Sequence, residues 1–131
     1  NFDLYSGVRL FKPNISEFRN FLPVMAQFEK ESFSFLRQIK SAILMITKGA
    51  DGSSLFYNNE HFSIPTKAQN VHDVSGAGDT VISVFCLSDI CGAYPKESAY
   101  LSNFAAGRVC EEVGVVPISL SMLNEISNYI N

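Results

Sequence analysis

Residues 73–80 read DVSGAGDT and lead directly into the apolar run 81–85. Glycine permits backbone angles that other residues avoid, and the run that follows predicts a helix. A glycine turn at a helix start points several backbone N–H groups at one spot, where the helix dipole adds partial positive charge. The stretch therefore predicts an anion site of the kind that holds a phosphate.

Two common phosphate-binding motifs do not fit this stretch. No Gly-Lys-Ser/Thr sequence ends it, which excludes a Walker A loop. Val81 stands where a dinucleotide-binding fingerprint requires its third glycine. The anion site is therefore predicted from the glycine turn and the helix start alone.

Asp79 lies in the first turn of the predicted helix, and two interpretations of it stay open. A carboxylate in this position complements the helix dipole. Alternatively, Asp79 accepts a proton from an attacking hydroxyl while neighbouring N–H groups stabilise a transferred phosphoryl group. Phosphoryl transfer needs mainly positioning and charge stabilisation of this kind.

Length and composition predict one globular domain with its own core. The chain has 131 residues, of which 47% are hydrophobic and 18% charged. The formal net charge is −3 and no basic cluster is present, which argues against a nucleic-acid partner. No apolar run approaches the ~18 residues of a membrane span, and residues 1–10 lack the order of a signal peptide. We therefore expect neither nucleic acid nor a membrane as a partner.

The cysteines and histidines predict no metal site. Cys86, Cys91 and Cys110 lie in apolar, helical surroundings, and no second pair accompanies the first two. We interpret all three as buried thiols in a reducing, cytoplasmic compartment. His61 and His72 lack partners at metal-ligand spacing and are expected to be structural or surface residues.

The pattern of the elements predicts an α/β fold. A short strand within 7–13 ends at Pro13, and 41–47 is an apolar run typical of a buried strand. Asn58 and Asn59 lie between two further strands and predict a hairpin. The predicted helices cover 14–22, 29–40, 77–91, 96–112 and 119–130. Strands followed by helices in this order predict a sheet with helices packed on it.

Two shorter motifs precede the glycine turn. Asn14-Ile15-Ser16-Glu17 fits a helix capping box. Residues 47–52, TKGADG, fit an ordinary turn at the end of a strand. Each motif is weak evidence for a functional site when taken alone. Together with residues 73–80, and in this order along the chain, they are stronger evidence.

Together these segments resemble the ribokinase-like (PfkB) carbohydrate kinases. DVSGAGDT is similar to the family's C-terminal signature, Asp-Thr-Thr-Gly-Ala-Gly-Asp-Thr. The resemblance implies that Asp79 is the catalytic base and that the amides of Gly76, Ala77 and Gly78 form the anion hole. It implies ATP as the phosphate donor and magnesium as the bridging metal.

The two earlier motifs also match the family. Asn14 and Glu17 match its Asn-x-x-Glu motif, which implies a contribution to magnesium binding through water. Thr47, Gly49 and Gly52 match its Thr-x-Gly-x-x-Gly turn, which implies contact with the nucleotide phosphates.

Further positions follow from the resemblance. Asn103, in NFAAG (103–107), matches a family helix whose asparagine lies near the adenine, although small residues there also suit close packing. A potassium ion near Asp73 and Ser75 is a further expectation. Val74 departs from the signature because it carries no hydroxyl where the family has threonine.

The resemblance implies that residues 1–131 form a single partial domain of a ribokinase-like α/β fold. Family members are much longer, so we expect the chain to be the C-terminal, nucleotide-binding part, without the N-terminal sugar-binding part and the β-lid. The resemblance is nearest to bacterial D-glycero-D-manno-heptose 7-phosphate kinases. It is carried by KPNISEF (12–18), IPTKAQNVHDVSGAGDTVIS (64–83) and SNFAAG (102–107).

This resemblance implies phosphorylation of the heptose 7-phosphate at C1, a step that supplies lipopolysaccharide precursors. A kinase of another sugar or nucleoside, and a non-catalytic nucleotide-binding or assembly module, stay open, as does an accompanying adenylyltransferase domain. For the 131 residues alone we expect weak nucleotide binding and negligible phosphorylation of a sugar or sugar phosphate. We also expect self-association, such as a homodimer, through a sheet edge at 8–11.

Overall fold

The computed structural model describes residues 2–22, 27–66 and 74–130. Contacts divide the chain into two units, Asn1–Ser63 and Ile64–Asn131. Among the described residues, the first contains the sheet, apart from its last residue Ile64, and two α-helices, and the second contains three α-helices. The elements follow the predicted order, so the α/β prediction is confirmed.

The sheet has four strands in the order β1-β2-β3-β4. Their bounds are Leu10–Phe11, Ile43–Thr47, Ser53–Tyr57 and Glu60–Ile64. Strand β1 pairs parallel with β2, and β2 pairs antiparallel with β3. The first four residues of β2 are all buried, as the continuous apolar run predicted. In the part of the chain that the structure describes, β1 is an edge strand.

The hairpin prediction is confirmed. Strands β3 and β4 are joined by Asn58 and Asn59, whose φ angles are 51° and 60°. Asparagine tolerates this left-handed region better than most residues, and two such residues in succession suit the twist of a hairpin.

Helices α1 (Ile15–Phe21) and α2 (Phe28–Gln38) belong to the same unit as the sheet. Their apolar side chains form one core with those of β2 and β3. The buried members are Phe18, Phe35, Leu36, Ile39, Leu44, Ile46 and Phe56. Phe18 and Phe35 meet edge to face, with ring centroids 5.3 Å apart. This aromatic core holds the helices against the sheet.

The second unit consists of α3 (Ala77–Ile90), α4 (Pro95–Cys110) and α5 (Leu120–Ile130). Helix α4 buries small residues along its length, including Ala99, Ala105 and Ala106, which permits close helix packing. Val84, Ala105 and Ile126 form the buried core that joins the three helices.

Arg108 links α4 to α5. Its Nε donates to Glu125 Oε2 at 3.1 Å, and its Nη1 donates to Glu112 Oε1 at 2.6 Å. These hydrogen bonds to Glu112 and Glu125 raise the pKa of the Arg108 guanidinium.

One prediction about the thiols is wrong. Cys110 is buried, but Cys86 and Cys91 are exposed at the C-terminal half of α3. The apolar surroundings in the sequence predicted burial, whereas Cys86 lies on an exposed face of α3 and Cys91 is the exposed C-cap residue after it.

Candidate active site

Residues 74–80 of the signature form a tight turn into α3. Gly76 is the N-cap residue, with φ +78°, a left-handed conformation that glycine adopts without strain. The amide of Ala77 donates to the carbonyl of Val74 at 3.2 Å, and the amide of Thr80 donates to the carbonyl of Gly76 at 2.9 Å. The turn thereby aims the first-turn amides of α3 along one direction.

The first-turn amides of α3 lie where the sequence predicted an anion site. The first-turn N–H groups of a helix precede its internal acceptors, and in α3 they belong to Ala77, Gly78 and Asp79. The N-cap residue, Gly76, has no side chain that could accept from them. The hydroxyl of Thr80 donates to the carbonyl of Gly76 at 3.1 Å and ties the turn to the helix. Binding of an external anion at this helix start stays a prediction.

Asp79 is exposed in this first turn, beside the same amides. The residue is therefore accessible from solvent. Ser75 is exposed as well, whereas Asp73, the second residue predicted near potassium, lies outside the described residues.

Val115 lies beside the glycine turn, which the sequence did not predict. A Cβ atom built on Gly76 would lie 3.3 Å from Val115 Cγ1, so this side chain closes one side of the glycine turn. The two residues are far apart in the sequence, and no motif links them. Thr80, by contrast, is the last residue of the family signature and could have been found from it.

In the first unit, the two shorter motifs lie side by side. Asn14 and Thr47 form a parallel β-bridge, and the amide of Thr47 donates to the carbonyl of Pro13 at 3.1 Å. Because β1 and β2 run parallel, the residues after both strands meet at one edge of the sheet. Ligands of open α/β sheets bind at such carboxyl ends.

Residues 48–52 form the predicted turn after β2. Gly49–Asp51 make one turn of 3-10 helix, and the amide of Lys48 donates to the carbonyl of Gly52 at 2.8 Å. Gly52 has φ 78° and ψ −139°, a backbone conformation that is essentially restricted to glycine. The glycine at this position is therefore required by the turn itself.

Asn14 and Glu17 form a complete capping box at the start of α1. Asn14 Oδ1 accepts from the amide of Glu17 at 2.8 Å, and Glu17 Oε2 accepts from the amide of Asn14 at 2.8 Å. The capping interpretation is thus confirmed.

A metal contribution from the same residues stays a prediction. No group of three or more His, Cys, Asp or Glu that could hold a metal ion occurs among the described residues. Magnesium commonly keeps several waters and uses only one or two carboxylates together with substrate phosphates. The exposed carboxylate of Glu17 fits that mode, since its oxygens can accept more than one hydrogen bond.

Asn103 is 5% exposed on α4. Its Nδ2 donates to the carbonyls of Ile64 and Pro65, at 3.3 and 3.4 Å. The side chain therefore holds the first residues of the second unit, a structural contribution that the sequence did not predict. Contact with adenine remains a prediction.

His61 has a structural environment, as expected. Its ring stacks on Phe56 with centroids 4.3 Å apart, and its Nδ1 lies 3.7 Å from Glu29 Oε2. His72 lies outside the described residues. No helix within 2–22, 27–66 or 74–130 combines the length and the apolar character needed to cross a membrane.

The sequence pattern of the pfkB family carbohydrate kinases matches residues 3–121. The chain belongs to this family. Among curated relatives, the bifunctional protein HldE of Haemophilus influenzae (strain PittEE) is 37% identical over 123 residues, or 91% of this chain. The bifunctional protein HldE of Vibrio cholerae (strain O395) is 36% identical over 129 residues, or 95% of this chain. The matches cover 26% and 27% of those relatives, so this chain spans about a quarter of their length.

Solved structures show that the fold is ribokinase-like. Ribokinase of Thermotoga maritima matches 98% of this chain and 45% of its own, with TM-score 0.86 and 21% identity. Phosphofructokinase-2 of Escherichia coli, solved with potassium, matches 95% of this chain and 42% of its own, with TM-score 0.84 and 17% identity. Ribokinase of Arabidopsis thaliana, solved with ribose and ATP, matches 94% of this chain and 43% of its own, with TM-score 0.79 and 22% identity.

Proposed function

We propose that residues 1–131 are the C-terminal, nucleotide-binding part of an ATP-dependent sugar kinase. The observation that carries the proposal is the glycine turn at the start of α3, where Asp79 stands exposed beside the first-turn amides. Membership of the pfkB family supports the same reaction class.

Asp79 is the proposed general base. It takes the proton from the attacking sugar hydroxyl as the sugar oxygen forms a bond to the γ-phosphorus and the bond from that phosphorus to the ADP oxygen breaks. The amides of Gly76, Ala77 and Gly78 are the proposed anion hole. Since the amide of Ala77 already donates to the carbonyl of Val74, the other amides of the turn carry most of this stabilisation.

The nucleotide contacts proposed in the first unit are Thr47, Gly49 and Gly52. The parallel bridge between Asn14 and Thr47 supports a shared site, because it holds both family motifs at the same edge of the sheet. Asn103 is the residue proposed near the adenine. Its buried amide group also anchors the backbone at Ile64 and Pro65.

Magnesium and potassium are the proposed metal ions. Asn14 and Glu17 would hold magnesium through water, and the ion would neutralise phosphate charge when bound. Asp73 and Ser75 are the proposed neighbours of potassium. The potassium in the Escherichia coli phosphofructokinase-2 structure supports a monovalent site in this fold.

The proposed substrate is D-glycero-D-manno-heptose 7-phosphate, phosphorylated at C1 in the supply of lipopolysaccharide precursors. Support comes from the segments 12–18, 64–83 and 102–107, which resemble kinases of that sugar. The exposed thiols of Cys86 and Cys91 are compatible with the proposed reducing, cytoplasmic compartment.

A sugar panel tests the function and the substrate together. The probe protein is a fusion in which the segment of the Haemophilus influenzae HldE protein that precedes its match is joined in front of these 131 residues. ADP release is measured with ATP, magnesium and each of heptose 7-phosphate, ribose, fructose 6-phosphate and adenosine. We expect clear preference for the heptose. Preference for a nucleoside would contradict the substrate proposal, and no transfer to any acceptor would contradict the kinase proposal.

A non-catalytic nucleotide-binding or assembly module is the second candidate. The helix start at α3 favours it, because first-turn amides can bind a phosphate without transferring it. ATP titration by calorimetry, combined with the same transfer assay on the 131 residues alone, separates the two. Binding without transfer in both the chain and the fusion would favour the module.

A further inference from the structure

Lys48 lies inside the turn that follows β2, directly after Thr47. The amide of Lys48 donates to the carbonyl of Gly52 at 2.8 Å, and the carbonyl of Lys48 accepts from the amide of Asp51 at 3.2 Å. Both backbone polar groups of Lys48 are therefore held within the turn. Because Thr47 is bridged to Asn14, the Lys48 side chain starts from a fixed position at the sheet edge where the two shorter motifs meet.

Lys48 is half-buried, which is uncommon for a lysine. Among the five lysines that the structure describes, Lys30, Lys40 and Lys96 are exposed. Lys12 is half-buried as well, but it lies outside the turn. A positive charge that is partly removed from water is stabilised by an anion close to it. The position of Lys48 therefore favours a negatively charged neighbour.

The protein itself does not supply that neighbour within residues 2–22, 27–66 and 74–130. In these ranges the side chain of Lys48 takes part in no ion pair and no hydrogen bond. Arg108 shows the opposite case, since its guanidinium is held by Glu112 and Glu125. The charge of Lys48 is therefore available to a ligand.

The charges of the three motifs, 14–17, 47–52 and 73–80, are unbalanced. The motifs contain four carboxylates but a single cation, Lys48. The carboxylates belong to Glu17, Asp51, Asp73 and Asp79. The phosphate chain of ATP is strongly anionic, and phosphoryl transfer depends on positive charge placed against it. Within these motifs, Lys48 is the side chain that can place a positive charge there.

We propose that Lys48 binds phosphate oxygens of the nucleotide. Its ammonium group donates charge-assisted hydrogen bonds to them, while Thr47, Gly49 and Gly52 form the turn around the same phosphates. Lys48 is a binding and positioning residue and takes no proton in the reaction. The proposal rests on the proposed function, because it adds a residue to the nucleotide site of that kinase.

Two substitutions at position 48 and one matched control test this contact. Lys48→Gln removes the charge and Lys48→Arg retains it. Lys40→Gln removes the same charge from an exposed lysine that precedes β2, at the opposite end of the strand. Each substitution is made in the fusion described above. Urea unfolding should give the same midpoint for all of them, because none removes a contact of the described structure.

Calorimetric titrations with ATP, ADP and adenosine, in the presence of magnesium, provide the readout. We expect Lys48→Gln to weaken the binding of ATP and of ADP at least ~10-fold, because each loses a charge-assisted hydrogen bond. The affinity for adenosine should stay unchanged, since adenosine carries no phosphate. Lys48→Arg should recover most of the affinity for ATP, and Lys40→Gln should bind all three compounds like the unsubstituted fusion.

Salt provides a second readout, which a purely structural contribution of Lys48 would not change. Salt screens ionic contacts, so the affinity of the unsubstituted fusion for ATP should fall as the salt concentration rises. The fall should be less steep in Lys48→Gln, because one ionic contact has been removed.

Equal affinity for ATP in Lys48→Gln and in the unsubstituted fusion would overturn the proposal and leave the kinase proposal standing. An equal loss of affinity for adenosine would also overturn it, because the lost contact would then not be to phosphate. If the unsubstituted fusion bound no ATP, both proposals would fail. If it bound ATP through Lys48 but transferred phosphate to no sugar, the kinase proposal would be contradicted and the phosphate contact supported.

Discussion

Replacing Gly76 by alanine tests the left-handed turn at the start of α3. At φ +78° an alanine is strained by about 1–2 kcal/mol. Its Cβ would also lie 3.3 Å from Val115 Cγ1, which is close enough to push the valine aside. We expect Gly76→Ala to lower the free energy of unfolding by about 2 kcal/mol, the strain and the contact together.

Gly114→Ala is the matched control. Gly114 has φ +83°, and nothing lies within 4 Å of a Cβ built there, so the control carries the backbone strain without the contact. Urea unfolding of Gly76→Ala, Gly114→Ala, Val115→Ala and the double variant Gly76→Ala/Val115→Ala separates the two contributions. In the double variant the close contact is gone, so the stability that it cost should return, whereas the stability lost to backbone strain should not. An alanine at 76 that leaves stability unchanged would refute the left-handed turn.

Three further predictions concern individual side chains. Asp79→Asn in the fusion should lower kcat at least ~10²-fold while calorimetry shows ATP still binding; retained wild-type turnover would remove Asp79 as the base. Glu17→Gln can still cap α1, so stability should hold while the magnesium dependence of turnover moves to higher concentration; an unchanged magnesium curve would leave the cap as its only contribution. Asn103→Ala should destabilise the second unit by about 1–3 kcal/mol, since the carbonyls of Ile64 and Pro65 lose their donor; unfolding at the wild-type midpoint would contradict that anchor.

Features governed by neighbours in the sequence were predicted well. The capping box of Asn14 and Glu17 spans three residues, and the Asn58-Asn59 hairpin turn requires only two residues that tolerate positive φ. The glycine turn before α3 is local in the same sense. Such features are encoded by short-range sterics and hydrogen bonds, which a single sequence displays directly.

Only the strand pairing in the sheet brings the Asn14–Glu17 motif next to the turn at 47–52. Asn14 and Thr47 are 33 positions apart in the numbering, and only the parallel pairing of β1 with β2 brings them side by side. The sequence predicted each motif and its family meaning, but no local pattern specifies which strands pair or in which register.

Side-chain environments likewise required the tertiary structure. The sequence of α3 determined a helix and a carboxylate in its first turn. It could not determine that Val115 packs at Gly76, that Asn103 anchors Ile64, or that Cys86 and Cys91 are exposed. Burial and packing depend on which distant segments come to lie against a helix, and composition alone does not reveal whether its apolar faces are covered.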